Sequence, residues 1–446
     1  MTTQTMDEVI AELEENYSAA TPRSRECFQR GQSSMAGPAK GAYFHKPYPL
    51  AMERGEGCYL YDLDGRRFVD FANHHSAQIL GHANPAVAEV VRRQLERGIV
   101  LGAPTGVEAE LCEEMCRRVA SVERIRFCNS GTEATLHAIR LARFSSGRGK
   151  IAKFEGGYHG SHDAVEISVV PPLDKAGPAE APVAVPTAGG MAPHAAEEVV
   201  VLPYDDEAAV ERLIEQHRDE LACIIFDPKA GIWTLRREFV QAVREIARKN
   251  DVLFILDEIV GFRVARGGLQ EHYGIDPDLT TYGKVVGGGF PAGAFGGRAD
   301  LMDLLDNSQA SSGVSQSGTF SANPMVMGAG MATLKQLTPE AFAHLNGLGE
   351  RLREGLEELF ERQQIAAKVV VLGSIFSLYF TDQEVTNYRI AARTNKEPLY
   401  PVFLGLLEQG YYLGHGLGMC CLSLPMDESH VDGLVEAMGT AIKKDN

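Results

Sequence analysis

The chain has 446 residues, 44% of them hydrophobic and 23% charged, with 43 basic against 60 acidic side chains and a formal net charge of −17. That length and composition support two or three compact units with substantial cores. The acidic balance argues against nucleic acid and anionic membrane surfaces as partners, which call for clustered basic groups, and no apolar run reaches the ~18 residues of a bilayer span.

The N-terminal stretch MTTQTMDEVIAELEENY carries acids where a secretory leader carries Lys or Arg. Eight cysteines are scattered along the chain; Cys112 and Cys116 lie four apart on a predicted helix, Cys420 and Cys421 are adjacent, and neither pair has zinc-site spacing. Reduced thiols in a cytoplasmic protein are the expectation.

Residues 1–30 read as one polar, partly amphipathic helix. Residues 56–71 read as a hairpin around the turn Asp62-Leu63-Asp64-Gly65. From 76 to 330, short apolar runs (KIAKF at 150–154, CIIF at 223–226, VLFIL at 252–256) alternate with helical stretches, the pattern of parallel strands with helical crossovers. The segment 171–198, rich in Pro, Ala and Gly and without a period, reads as an active-site flap or a mobile surface loop. A long helix from 331, strands around KVVVLGSIFSLYF and a closing helix from Asp427 describe a smaller α+β part. The expected organisation is α/β: an N-terminal segment 1–75 belonging to the small domain, a large domain 76–330 with a mostly parallel sheet between helices, and a C-terminal small-domain segment 331–446.

Asp257 and Glu258 end the predicted strand Val252–Leu256 at its carboxyl edge, where open α/β sheets bind ligands. An acid there holds a cationic group or caps a helix. In TTYGKVVGGGFPAGAFGG at 280–297, Lys284 is followed two residues on by three glycines. Lysine is the side chain that forms an exchangeable Schiff base with an aldehyde cofactor, and glycines let the backbone approach a bulky ring; a surface lysine before a flexible turn is the plainer alternative. The stretch is not a Walker A loop, and no G-x-G-x-x-G opens a helix here, which disfavours a nicotinamide dehydrogenase. In RFCNSGTEATLHAIRLAR at 126–143, Ser130, Gly131 and Thr132 begin an amphipathic helix and can either bind a phosphate or simply cap it. In FEGGYHGSHD at 154–163, Tyr158 can stack on a planar ring, while His159 and His162 lack a third ligand at metal spacing, so no metal is expected. In QSGTFSANP at 316–324, Thr319 can donate to a phosphate.

In this order and spacing, NSGTEA, YHG, LDE and GK-x2-GGG-x-P-x-GAFGGR resemble the class III aminotransferases of pyridoxal phosphate (PLP) fold type I, over about residues 40–440. The branch most resembled holds glutamate-1-semialdehyde aminomutase with D-phenylglycine and β-amino-acid aminotransferases. The resemblance implies transfer of an amino group between an amino acid or amine donor and a keto or aldehyde acceptor. The alternative is an isomerase, either a 2,1-aminomutase or an epimerase; retention of Lys284 and Asp257 argues against a fold that binds PLP without turnover. By position, the resemblance makes Lys284 the Schiff-base lysine and proton shuttle and pairs Asp257 with the pyridine nitrogen. It sets Tyr158 and Ile259 on the two ring faces and gives the phosphate to Ser130, Gly131 and Thr132. Thr319 reaches the phosphate of the neighbouring subunit, which implies a homodimer with shared active sites.

The sequence departs from the family around the substrate. Asp227-Pro228-Lys229-Ala230-Gly231-Ile232 stands where relatives read Glu-Pro, and the Asn that aminomutases carry near Ile232 is missing. DEIVGFR is one residue shorter than the usual DEV-x-x-GFR. CLSLPMDESHVD replaces the aminomutase Ser-x-x-His-Thr pattern and is closer to the β-amino-acid aminotransferases. Lys40 falls near the substrate-binding Arg of some relatives; Lys40 and Asp227 are the candidate substrate contacts.

Overall fold

Proline divides the first element. Thr5 opens a helix with a capping box, its hydroxyl accepting from the Glu8 N–H while the Glu8 carboxylate accepts from the Thr5 N–H. The helix Met6–Ala20 stops at Thr21, and Pro22–Gln32 forms a second one. The single helix expected over 1–30 is therefore two: Pro22 has no N–H to continue a helix but fits the first position of a new one. The computed structural model describes residues 5–38, 40, 43–228, 232–308, 312–414 and 416–443.

Its strands, in chain order, are β1 (Met52–Glu56), β2 (Tyr59–Asp62), β3 (Arg67–Asp70), β4 (Arg124–Cys128), β5 (Lys150–Phe154), β6 (Val199–Leu202) and β7 (Leu221–Phe226). They continue with β8 (Leu253–Asp257), β9 (Leu279–Gly283), β10 (Gly293–Gly297), β11 (Lys368–Leu372), β12 (Ile375–Tyr379), β13 (Tyr411–Tyr412) and β14 (Cys420–Cys421). The chain forms two compact units: Met1–Asn84 with Ala343–Glu384 and Arg393–Asn446, and Pro85–Phe342 with Val385–Ala392. The divisions at 84/85 and 342/343 fall later than the 75/76 and 330/331 read from sequence. The second shift has a visible cause. The long helix expected from 331 is two helices, Pro324–Gln336 and Pro339–Gln363, again separated before a proline. Arg118 ties the end of the first to the larger unit through the Leu334 and Leu337 carbonyls.

In the first unit both chain ends share a sheet of order β1-β2-β3-β13, beside a three-stranded sheet β11-β12-β14. The β2–β3 hairpin closes on Asp62, whose carboxylate accepts the N–H groups of Asp64 at 3.0 Å and Arg66 at 2.8 Å.

The larger unit holds a seven-stranded sheet of order β4-β10-β9-β8-β7-β5-β6. Strands β6, β5, β7, β8 and β9 run parallel, and β10 runs antiparallel to both β9 and β4. Strands β6, β7, β9 and β10 are buried along their whole length, as the continuous apolar run LACIIF of β7 requires. The helix Gly131–Ser146 covers one face with Ala138, Ile139, Leu141 and Ala142, packed with Ile151, Cys223, Ile225 and Phe295.

The 171–198 segment carries little regular structure but is held at several points. The Ser168 N–H donates to the Val185 carbonyl at 2.7 Å, and the Val183 N–H to that of Ala176, which is fully buried. Tyr388 donates to the Pro171 carbonyl, and Arg389 to those of Ala176, Gly177 and Pro178.

Candidate active site

Because β4, β5, β7, β8 and β9 all point one way, their carboxyl ends share one edge of the sheet. That edge collects the turn after Cys128, the loop after Phe154, Asp227 after β7, Asp257 at the end of β8 and Lys284 after β9. The position matches the ligand-binding edge of open α/β sheets.

Asp257 is buried, and its Oδ2 lies 2.7 Å from His159 Nδ1, also buried. A carboxylate only accepts, so Nδ1 carries the proton. Asp257 Oδ1 accepts the Ile259 N–H at 3.0 Å. His159 Nε2 is buried with no hydrogen-bond partner among the described residues. The His159 carbonyl is fixed by the hydroxyl of Thr135, which is buried on the Gly131–Ser146 helix, at 2.7 Å. His162 approaches the same hydroxyl at 3.2 Å, and burial pushes it down to about 4, so it is neutral at physiological pH. These ties join the YHG loop to the NSGTEA helix and to the strand-end acid.

Ser130 caps that helix, its hydroxyl accepting from the Glu133 N–H at 3.1 Å. Glu133 in turn accepts from the Asn129 N–H at 2.8 Å and from its side-chain amide at 3.2 Å. Helix geometry leaves the Gly131 and Thr132 N–H groups without intrahelical acceptors, and the helix dipole favours an anion in front of them. The surroundings are pared back to glycine: a Cβ on Gly131 would come within 2.7 Å of Ile259, and one on Gly160 within 2.8 Å of the Thr132 hydroxyl.

Lys284 is half-buried and adopts φ 50°, left-handed backbone that costs a non-glycine residue about 1–3 kcal/mol. The turn it begins needs Gly288, also left-handed, where a Cβ would lie 2.4 Å from the Ala329 carbonyl oxygen. Tyr158 is 56% exposed, a large aromatic left open at the strand-end edge. Glu258 is fully buried, accepts from the Leu269 and Gln270 N–H groups at 2.9 Å each, and is pushed up to about 8 by desolvation.

The fold thus gathers Ser130, Gly131, Thr132, Tyr158, Asp257, Ile259 and Lys284 within one unit. Asp227 joins Asp257 at the strand ends but is buried, with its carbonyl accepting from Tyr204. Thr319 is exposed in its loop; Lys40 is exposed and belongs to the other unit; Lys229 lies outside the described residues. Sequence reasoning missed His159 as the partner of Asp257 and weighed it only as a metal ligand. It also missed Asn129 and Glu133, although S-x-x-E before an apolar run is a readable capping signal.

The class III aminotransferase family model matches residues 41–416. The chain belongs to the class III aminotransferases. Glutamate-1-semialdehyde 2,1-aminomutase of Methanocaldococcus jannaschii is 39% identical to this aminotransferase-family chain over 422 residues, 93% of this chain and 97% of that one. Among solved structures, an omega-transaminase from Sphaerobacter thermophilus superposes with a TM-score of 0.90 at 38% identity, covering 95% of this chain and 97% of the other. A β-phenylalanine aminotransferase from Variovorax paradoxus does so with 0.89 at 34% identity, over 98% of each. This class III chain is an enzyme of PLP fold type I, and its cofactor is pyridoxal phosphate. The residues at the sheet edge suit that group. The helix N-terminus and small side chains make an anion cradle. A buried carboxylate with a fixed partner can face a protonated ring nitrogen, and Tyr158, exposed in the loop that carries His159, offers a flat surface.

Proposed function

We propose that the protein is a transaminase that moves an amino group from an amino acid or amine to a keto or aldehyde acceptor, with Lys284 as its catalytic lysine. The observation that carries the reading is the Asp257–His159 pair at the end of β8, on the strand edge where β9 delivers Lys284. Bound there, PLP supplies an aldehyde that captures amines and a ring that withdraws electrons from the substrate carbon. Lys284 would anchor the cofactor and move the proton between the substrate carbon and the cofactor carbon. Asp257 keeps the ring nitrogen protonated, and His159 holds Asp257 oriented for it. Tyr158 and Ile259 confine the ring, while Ser130, Gly131 and Thr132 bind the phosphate. Thr319, exposed on its loop, serves the phosphate of a second copy, so the active form is a homodimer. The eight free cysteines suit a reducing cytoplasm. Lys40 and Asp227 are the proposed substrate contacts.

A second reading, an isomerase, is favoured by the relatives named as aminomutases. The two differ in stoichiometry. A transaminase given only a donor stops after one equivalent and resumes when a carbonyl acceptor is added. A panel of donors, followed by the cofactor's absorbance with and without acceptor, decides between them. Sustained turnover of one substrate without acceptor would overturn transamination in favour of isomerisation.

A further inference from the structure

Lys153 puts a charge in the interior of the larger unit. It is fully buried in β5, with Val201 of β6 and Ile225 of β7 as its register partners. Alternation sets it on the same face as Ile151 and Glu155. Packed on that face are Ala138, Ile139, Leu141 and Ala142 of the Gly131–Ser146 helix, and Val165 and Ile167 of the loop after β5. Lys153 Nζ donates to the Ile167 carbonyl at 2.6 Å and to that of Phe154 at 3.3 Å. The next residue, Ser168, accepts the Gly156 N–H at 2.8 Å. These bonds close the base of the loop Glu155–Ser168, which carries Tyr158 and His159.

The carboxylate that favours the charge, Glu155, is already engaged. Arg389 grips both Glu155 oxygens, at 2.8 and 2.9 Å. The helix on that face contributes Arg143, whose Nε donates to the Gly149 carbonyl, and the loop contributes His162, Asp163 and Glu166. Burial disfavours the charge on Lys153, and Glu155 favours it.

We propose that Lys153 is a positioning residue for the reaction: its ammonium, bound to the Ile167 carbonyl, fixes the Glu155–Ser168 loop and with it Tyr158 and the His159–Asp257 pair. This rests on the reading of Tyr158 and Asp257 as cofactor contacts. A charged donor makes a hydrogen bond about twice as strong as a neutral one, so loss of the proton slackens the loop without removing the side chain. Burial pushes Lys153 down to about 7, so its charge changes near neutrality.

The molecule carries its own reporter. Trp233, its one tryptophan, is buried against Gly156, where a Cβ would lie 2.6 Å from the indole. In the holoenzyme, Trp233 emission should titrate with a midpoint near 7. Lys153→Met, which has no donor, should show no titration and lie at or beyond the alkaline-side value, and Lys153→Arg, charged across the range, should hold the acid-side value. In acid, amide exchange over residues 156–168 should be about 10- to 150-fold faster in Lys153→Met, which loses the charge-assisted hydrogen bond altogether. Flat emission in the unmodified enzyme, or a titration that survives in Lys153→Met, overturns the proposal. Should Lys153→Met fail to fold, exchange in the unmodified enzyme about one pH unit either side of the midpoint, corrected for intrinsic rates, must show lost protection on the alkaline side; unchanged protection overturns it equally. Neither readout needs turnover, so a failure of the transamination reading would leave both results interpretable.

Discussion

His159 Nδ1 stands 2.7 Å from Asp257 Oδ2, across 98 residues of chain and out of contact with solvent. The imidazole occupies one carboxylate oxygen while the Ile259 N–H holds the other, so the orientation of Asp257 depends on both. His159→Leu should loosen PLP by about 10- to 150-fold, the equivalent of a charge-assisted hydrogen bond of roughly 1.5–3 kcal/mol. Equilibrium dialysis with absorbance measures it, and unchanged affinity would remove His159 from the cofactor's support. Asp257→Ala should cost more turnover than Asp257→Glu, which keeps the charge.

Lys284 is expected to carry the cofactor covalently. Borohydride reduction should place the added mass on the Lys284 peptide, and Lys284→Ala should lose at least about 10³ in turnover, as when a covalent and acid–base group is removed. Label on a different lysine would refute the assignment.

Gly293 lets β10 pass the turn that begins the Gly131–Ser146 helix. A Cβ there would lie 2.0 Å from the Ser130 carbonyl oxygen and 2.8 Å from Cys128 Sγ. Gly293→Ala must push backbone apart and should cost about 1–3 kcal/mol. Gly102, with open space around its Cβ position, is the control; its Ala variant should stay within about 0.5 kcal/mol. Equal denaturant midpoints for the two variants would contradict the packing argument.

Glu258 ties stability to acidity. Its ordinary value of 4.5 is pushed up to about 8 by burial. Between those values the folded chain holds a proton that the unfolded chain has released, so this contribution is complete below about 4.5 and is lost as pH rises through about 8. Glu258→Gln, neutral throughout, should abolish that slope, which can reach about 1.4 kcal/mol per pH unit. Urea melts below about pH 6, where Lys153 remains mostly charged in both states, should show the advantage of the unmodified protein over the variant shrinking as pH rises. Parallel stability profiles would count against a protonated Glu258.

Lys40, exposed in its own unit, is the proposed partner of a substrate carboxylate. Lys40→Met should raise KM for a carboxylate substrate by about 10- to 150-fold and barely change an amine lacking that group, with cofactor absorbance unaltered. Equal effects on both substrates would retire the idea.

The sequence by itself determined the family, the cofactor and the strand-end positions of the cofactor motifs. Each motif is local: a strand, a turn of small residues and a helix lie within about fifteen residues, so LDE, GKVVGGG, NSGTEA and YHG announce their places without knowledge of the rest. The β2–β3 hairpin was legible for the same reason, since its turn is closed by Asp62 within four residues. Helix boundaries were readable in principle at Pro22 and Pro339 and were passed over because the apolar period continues across both. Tertiary structure alone decided which distant groups meet. Nothing near His159 specifies Asp257, nothing near Lys153 specifies the Ile167 carbonyl, and nothing around Val385–Ala392 announces that it rejoins the larger unit to clamp Glu155 through Arg389. Those pairings follow from the order and register of β5, β7, β8 and β9, which long-range burial of apolar strands fixes and local sequence does not.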